Sequence, residues 1–178
     1  MTRVLGAILG GGRSSRFGSD KALAMLDGEA LIDRVAAALA PQVDALIVVG
    51  RNHPGLTAVA DRPAPDLGPL GGIAGALHYA ATKGFDRVLT VPCDAPFLPD
   101  DLRQHLSVAG PATFLDSLPV IGWWPATAAS ALDQLLAEGG SRSVRAFADR
   151  IGAVGIAGAT IANVNTPDDL VRIAAQRD

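Results

Sequence analysis

Residues 4–9, Val4-Leu5-Gly6-Ala7-Ile8-Leu9, make a short uncharged run that stops at three consecutive glycines, Gly10-Gly11-Gly12, and is followed by Arg13, Arg16 and Lys21. An apolar run this short, bounded by glycine, is the signature of a buried strand rather than a helix. The glycines offer backbone N–H groups with no side chain in the way, and the cations beyond them supply positive charge. A strand that opens into such a loop is suited to holding a polyphosphate.

The rest of the chain repeats the theme of apolar runs separated by segments of helical period, which is the pattern of βαβ units and a parallel sheet. Strands are expected over 4–9, 45–49, 57–60 and 87–91, and an Asp27-Gly28 turn precedes the first helix. In that helix Leu31, Val35 and Leu39 recur at a spacing of four until Pro41 stops it. Further helices are expected over 70–82 and 99–106, the first with Gly71, Gly72 and Gly75 permitting close approach and the second with Asp100 and Asp101 in its first turn. The second half predicts strands over 112–115, 120–124 and 153–156 and helices over 126–137 and 143–151, and near the tail Thr166 can cap and Pro167 can open a last helix.

At 178 residues the chain fits one domain, 1–178. Lys and Arg total 15 against 18 for Asp and Glu, so a net charge of −3 gives no field that would gather nucleic acid or an acidic membrane. The hydrophobic fraction of 49% comes from aliphatic residues, with aromatics at 4%. One cysteine forms no internal disulfide, and no Cys/His zinc spacing is present, which suits a reducing cytoplasm. No stretch reaches the roughly 20 apolar residues of a membrane span.

Two familiar phosphate loops fail against the opening. The Walker pattern needs Lys directly after its second glycine, and here Gly18 is followed by Ser19-Asp20-Lys21. The dinucleotide pattern would place its third glycine at Ser15. What remains is a long loop without apolar periodicity at the carboxyl end of the first strand, where parallel sheets bind ligands.

The segment Leu9-Gly10-Gly11-Gly12-Arg13-Ser14-Ser15-Arg16-Phe17-Gly18-Ser19-Asp20-Lys21 resembles the signature loop of nucleotidyltransferases of the nucleotide-sugar type, L-A-G-G-x-S-x-R-M-G-x-D-K. It is similar above all to the molybdenum cofactor guanylyltransferases. Asp61 with Gly68-Pro69-Leu70-Gly71-Gly72-Ile73, then Val91-Pro92-Cys93-Asp94-Ala95-Pro96, then Asn163-Val164-Asn165-Thr166-Pro167 fit that family in the same order and span nearly the whole chain. The resemblance implies an α/β, Rossmann-like three-layer sandwich with a mostly parallel central sheet flanked by helices. It implies transfer of GMP from GTP to molybdopterin with release of pyrophosphate and with Mg²⁺ as cofactor. It further implies that backbone groups of Leu9, Gly10, Gly11 and Gly12 hold phosphates and base, that Arg16 and Lys21 neutralise the triphosphate, and that Asp94 binds the metal. Asp61 is the implied nucleotide contact, with Asp66 an alternative carboxylate. Asn163 and Asn165 alternate along an extended segment and are the implied pterin contacts, with capping of the last helix as their simpler role. The expected protein is a cytoplasmic monomer in transient contact with other proteins of molybdenum cofactor synthesis.

Other readings stay open. CTP in place of GTP keeps the chemistry, and a nucleotide-binding protein without turnover drops it. Gly50 stands where the family has a nucleotide-contacting asparagine, with Asn52 two residues on, and Leu118 replaces a histidine of the family's His-Pro pair. Cys93 is read as a core residue, since the reaction needs no covalent intermediate. Trp123 and Trp124 are read as packing residues rather than a pterin platform, and His53, His78 and His105 carry no assigned role.

Overall fold

The computed structural model describes residues 1–11, 20–158 and 161–175. The opening run is strand β1 (Val4–Leu9), buried along its whole length. Past the glycine loop, a single 3-10 turn (Lys21–Leu23) begins where the Asp20 side chain accepts the Ala22 N–H. Next comes a hairpin of β2 (Met25–Leu26) and β3 (Glu29–Ala30), whose turn residues Asp27 and Gly28 both have positive φ. Asp-Gly is the pair that such a two-residue turn favours.

Helix α1 (Leu31–Leu39) follows, then β4 (Ala45–Val49), β5 (Thr57–Val59), α2 (Pro69–Lys83), β6 (Arg87–Pro92) and α3 (Leu102–Ala109). The remainder is β7 (Thr113–Leu115), β8 (Leu118–Pro125), α4 (Ala129–Ala137), α5 (Val144–Ile151), β9 (Val154–Ile156) and α6 (Pro167–Ala175). Several expected helices begin differently: a 3-10 turn, Ala126–Ala128, precedes α4, and Ser143 is the cap before α5 rather than its first residue. Pro99 to Asp101 form a turn, closed by Leu102 N–H on the Pro99 carbonyl, so both acidic residues precede α3. Pro69, whose missing N–H is harmless at the first helical position, starts α2 one residue early.

The strands form one seven-stranded sheet in the order β5-β4-β1-β6-β8-β7-β9. Strands β5, β4, β1 and β6 are parallel, β8 is antiparallel to both its neighbours, and β9 is parallel to β7. Alternation along each strand splits the core in two. Leu5, Ala7, Leu9, Ile47, Val49 and Trp124 pack with α2, α4 and α5 on one face, while Val4, Ile8, Val48, Leu89, Val91 and Trp123 pack with α1 and α3 on the other. This is a three-layer sandwich. Chain order reverses at β1, since β4 lies on one side of it and β6 on the other, and that reversal opens a crevice at the carboxyl ends of the strands.

Candidate active site

Register lines up the carboxyl ends of four strands. Val59 pairs with Val49, Val49 with Leu9, and Leu9 with Pro92. The residues that leave this row are Ala60-Asp61, Gly50-Arg51, Gly10-Gly11 and Cys93-Asp94, so residues far apart in sequence emerge on one edge.

Lys21 returns to that edge from the turn after the loop. Its Nζ lies 2.5 Å from Asp94 Oδ2 and 3.0 Å from Asn165 Oδ1. Asp94 and the tail are also tied through the backbone, Val164 N–H donating to the Asp94 carbonyl at 2.8 Å. The Lys21 and Asp94 side chains are 15% and 16% exposed, so water screens their attraction only in part. Asp94 Oδ1 is buried and has no hydrogen-bond partner among the described residues. An unmatched carboxylate oxygen beside an open crevice fits a hard cation such as Mg²⁺, which is commonly held by one or two carboxylates, phosphate oxygens and water. No cluster of three His, Cys, Asp or Glu able to cage an ion occurs among the described residues.

Asp61 lines a cavity of about 520 Å³ together with Gly50, Arg51, Asn52, Ala58, Val59, Ala60 and Pro65. Its Oδ1 is also buried without a partner among the described residues. Burial, and secondarily the Asp66 charge, raise its carboxyl above the ordinary aspartate range. Helix α2 packs close behind: a Cβ on Gly75 would stand 2.3 Å from the Ala60 carbonyl oxygen, so a glycine is needed to seat the helix against the strand that carries Asp61.

The glycine loop differs in detail from the expectation. Gly10 N–H donates to the Val49 carbonyl at 2.9 Å and extends the sheet, which commits a group expected to hold phosphate. Gly11 is thus the first loop residue past the sheet's hydrogen bonds. Gly12 and Arg16 lie outside the described residues. Gly50 has φ +81°, and a Cβ there would meet Gly11 Cα at 2.7 Å, so the family's asparagine has no room in this backbone. Asn52 is exposed and lines the same cavity.

Sequence reasoning missed Arg51. Its Nη1 and Nη2 donate to Asp20 Oδ1 and Oδ2 at 2.8 and 2.6 Å, and its stem covers Gly10 so closely that a Cβ there would meet Arg51 Cδ at 2.3 Å. The available signal was position: Arg51 lies two residues past the end of a parallel strand.

Asn163 is half-buried and Asn165 exposed, and only Asn165 shows a side-chain bond to the Lys21 cluster among the described residues. Capping of α6 falls to Thr166 Oγ1, which accepts Asp169 N–H, and to Asp169, which accepts the N–H groups of Asn165 and Thr166. Burial, with the Asp94 charge next, pushes the Cys93 thiol up to about 12, which suits a packing residue and not a nucleophile. Trp123 and Trp124 are both buried, on opposite faces of the sheet, and Trp124 packs between Phe114 and Phe147. His53 pairs with Asp33, His78 with Asp133, and His105 bonds the Ala157 carbonyl.

Residues 6–152 match the model of the MobA-like NTP transferase domain. The chain is 38% identical to the molybdenum cofactor guanylyltransferase of Rhodobacter capsulatus, over 96% of this chain and 94% of that one. It is 35% identical to the protein of the same name from Sinorhizobium fredii, over 94% and 89%. The crystal structure of molybdopterin-guanine dinucleotide biosynthesis protein A from Archaeoglobus fulgidus superposes with a TM-score of 0.79 at 24% identity, covering 97% of this chain and 98% of that one. That of 4-diphosphocytidyl-2C-methyl-D-erythritol synthase from Anaerococcus prevotii reaches 0.75 at 12% identity, covering 99% and 96%. At those identities the two structures speak to the fold, which is the nucleotidyltransferase sandwich.

Proposed function

The chain belongs to the MobA-like NTP transferase family and, within it, to the molybdenum cofactor guanylyltransferases, and from that membership we propose how its own residues divide the work. It is a nucleotidyltransferase that moves GMP from GTP onto molybdopterin. A phosphate oxygen of molybdopterin attacks the α-phosphorus of GTP, a new O–P bond forms, the bond to the β-phosphate oxygen breaks, and pyrophosphate leaves. Charge gathers on the α-phosphate oxygens and on the leaving group, so catalysis is mainly positioning and electrostatic stabilisation.

The observation that carries the residue assignment is the meeting of Lys21, Asp94 and Asn165 at the crevice. Lys21 donates to the phosphates, exchanging its carboxylate partner for a phosphate oxygen when nucleotide enters. Asp94 would hold Mg²⁺ through its unmatched oxygen, and the ion would supply further neutralisation of the triphosphate. Gly11 lets the backbone approach the phosphates, and Arg16 adds charge. The cavity beside Asp61 and Asn52 takes the base, with Asp61 as acceptor for guanine N–H groups. Asn165 spans both substrates, and Asn163 faces molybdopterin.

A compartment follows from chemistry: the single cysteine and the nucleoside triphosphate substrate favour the cytoplasm. Among the described residues no helix is long and apolar enough to cross a membrane. A monomer in transient contact with other proteins of the same synthesis completes the reading. The test is pyrophosphate release from GTP, molybdopterin and Mg²⁺, with Asp94→Ala expected to abolish metal-dependent turnover and to weaken GTP binding more with Mg²⁺ than without it. A preference for CTP would move the assignment to a cytidylyltransferase, and the same metal dependence in variant and parent would remove Asp94 as ligand.

A further inference from the structure

Of the charged groups on the strand edge, Arg51 is the one the reaction does not consume. Its side chain is 15% exposed and grips Asp20 with two donors. The same carboxylate also accepts the Ala22 N–H, at 3.2 Å from Oδ1, and so starts the turn whose first residue is Lys21. The connection therefore runs from the end of β4 through Arg51 and Asp20 to Lys21, and from Lys21 Nζ to Asp94 at the end of β6.

We infer that Arg51 is a positioning residue for nucleotidyl transfer: by clamping Asp20 against the end of β4, it fixes the turn that aims Lys21 at Asp94 and the phosphates. An isolated exposed ion pair would be too weak for this. This pair differs in two respects. Its fork meets both carboxylate oxygens, which sets orientation as well as distance. Its arginine stem is laid across the Gly10 backbone, so the guanidinium starts from a fixed place. The turn needs such an anchor, because one turn of 3-10 helix has little stability of its own. Lys21 adds a flexible four-carbon stem, so an error in its backbone is passed to the ammonium. Displacement by about 1 Å in a site of this kind costs up to about a hundredfold in rate.

The inference rests on the proposed reaction, and two measurements separate the fates of the two. In the first, Arg51→Ala, Arg51→Lys and Asp20→Asn are each made alone and with Lys21→Ala. Arg51→Ala should lower kcat about tenfold or more, with KM for GTP within about threefold, and Arg51→Lys should restore part of the loss. In the Lys21→Ala background the Arg51→Ala loss should fall to within about twofold, because Arg51 works through Lys21. Losses that simply multiply would make Arg51 an independent phosphate ligand or a support of the fold, and would overturn the inference. The second measurement needs no turnover: trace acetylation of Lys21, read by mass spectrometry against Lys83 in the same protein. Arg51→Ala should raise the Lys21 to Lys83 ratio at least about threefold. A raised ratio in a protein that does not use GTP would refute the reaction and keep the clamp, whereas an unchanged ratio in an active enzyme would refute the clamp and keep the reaction.

Discussion

Lys21 and Asp94 stand 73 positions apart in the chain and 2.5 Å apart in space. Without nucleotide, each satisfies the other's charge inside a partly covered crevice. On the proposed reaction, nucleotide phosphates would compete for the lysine and free the carboxylate for a cation. The pair keeps two functional groups aimed at one point, which is what a preorganised site requires.

Removing the lysine tests that view. Lys21→Ala should leave the fold intact and lower kcat by about 10²–10³, the loss of one transition-state donor at about 3–4 kcal/mol. Pyrophosphate release at saturating GTP measures it, and turnover within twofold of the parent would take Lys21 out of the reaction.

The two tail asparagines should separate. The family resemblance implied a pair serving the pterin, with capping as the alternative, yet only Asn165 is seen bonded to Lys21 among the described residues. Asn165→Ala should therefore lower kcat severalfold and affect both substrates. Asn163→Ala should raise KM for molybdopterin and leave GTP affinity near the parent value. Calorimetric titration with GTP and initial rates against molybdopterin distinguish the two, and identical profiles would refute the separation.

Restoring the family's asparagine should damage this protein. At Gly50 a Cβ meets the Gly11 Cα at 2.7 Å, and φ is +81°, so Gly50→Asn forces the glycine loop away from β4. A cost of about 1–3 kcal/mol is expected for such overpacking, seen as a lowered Tm and weaker GTP binding. Base selectivity should instead respond at Asn52: Asn52→Ala should narrow the kcat/KM preference for GTP over ATP and CTP. A stable Gly50→Asn variant with sharper selectivity would reverse both expectations.

If Asp61 contacts the nucleotide as proposed, binding should be sensitive to acid. Its carboxyl is raised above the ordinary value near pH 4 by burial first and by Asp66 second, so it takes up a proton at a higher pH than an exposed aspartate does. If the ionised form accepts from guanine, affinity should hold at neutral pH and fall as pH drops through the raised value. The same shift means that the ionised carboxylate destabilises the free protein above that pH and is relieved below it. Asp61→Asn should flatten the extra pH dependence of GTP binding and raise the Tm at pH 7. Parallel binding curves for parent and variant from pH 8 to 4.5 would exclude Asp61 from the nucleotide contact.

The seven strands of the main sheet were legible in the sequence because each is an apolar run cut off by turn residues, as at Leu9-Gly10 and Val49-Gly50, whereas the two-residue strands β2 and β3 carry too short a pattern to read. Lys21, Asp61 and Asp94 stood out as candidates because the stretches around them resemble motifs of the family. What escaped depended on which partners finally meet. Nothing near Arg51 announces that its fork will close on Asp20, since the two come together only when β1 and β4 pair. The Gly10 N–H looked available because the sequence does not show that the β1–β4 ladder runs one bond past the strand. Helix starts shifted where proline and aspartate allow either a turn or a first helical residue, as at Pro99 to Asp101 and at Pro69.

The bond from Val164 N–H to the Asp94 carbonyl, together with Asn165 on Lys21, has a consequence in time. A ribosome makes Lys21 early and Asn165 some 144 residues later, whereas every strand of the sheet is finished by Ile156. A nascent chain can thus complete its sheet while its lysine and aspartate still lack the segment that braces them. Full catalytic competence should arrive only after residues 161–165 leave the exit tunnel, so an arrested chain would hold GTP weakly and spend little of it.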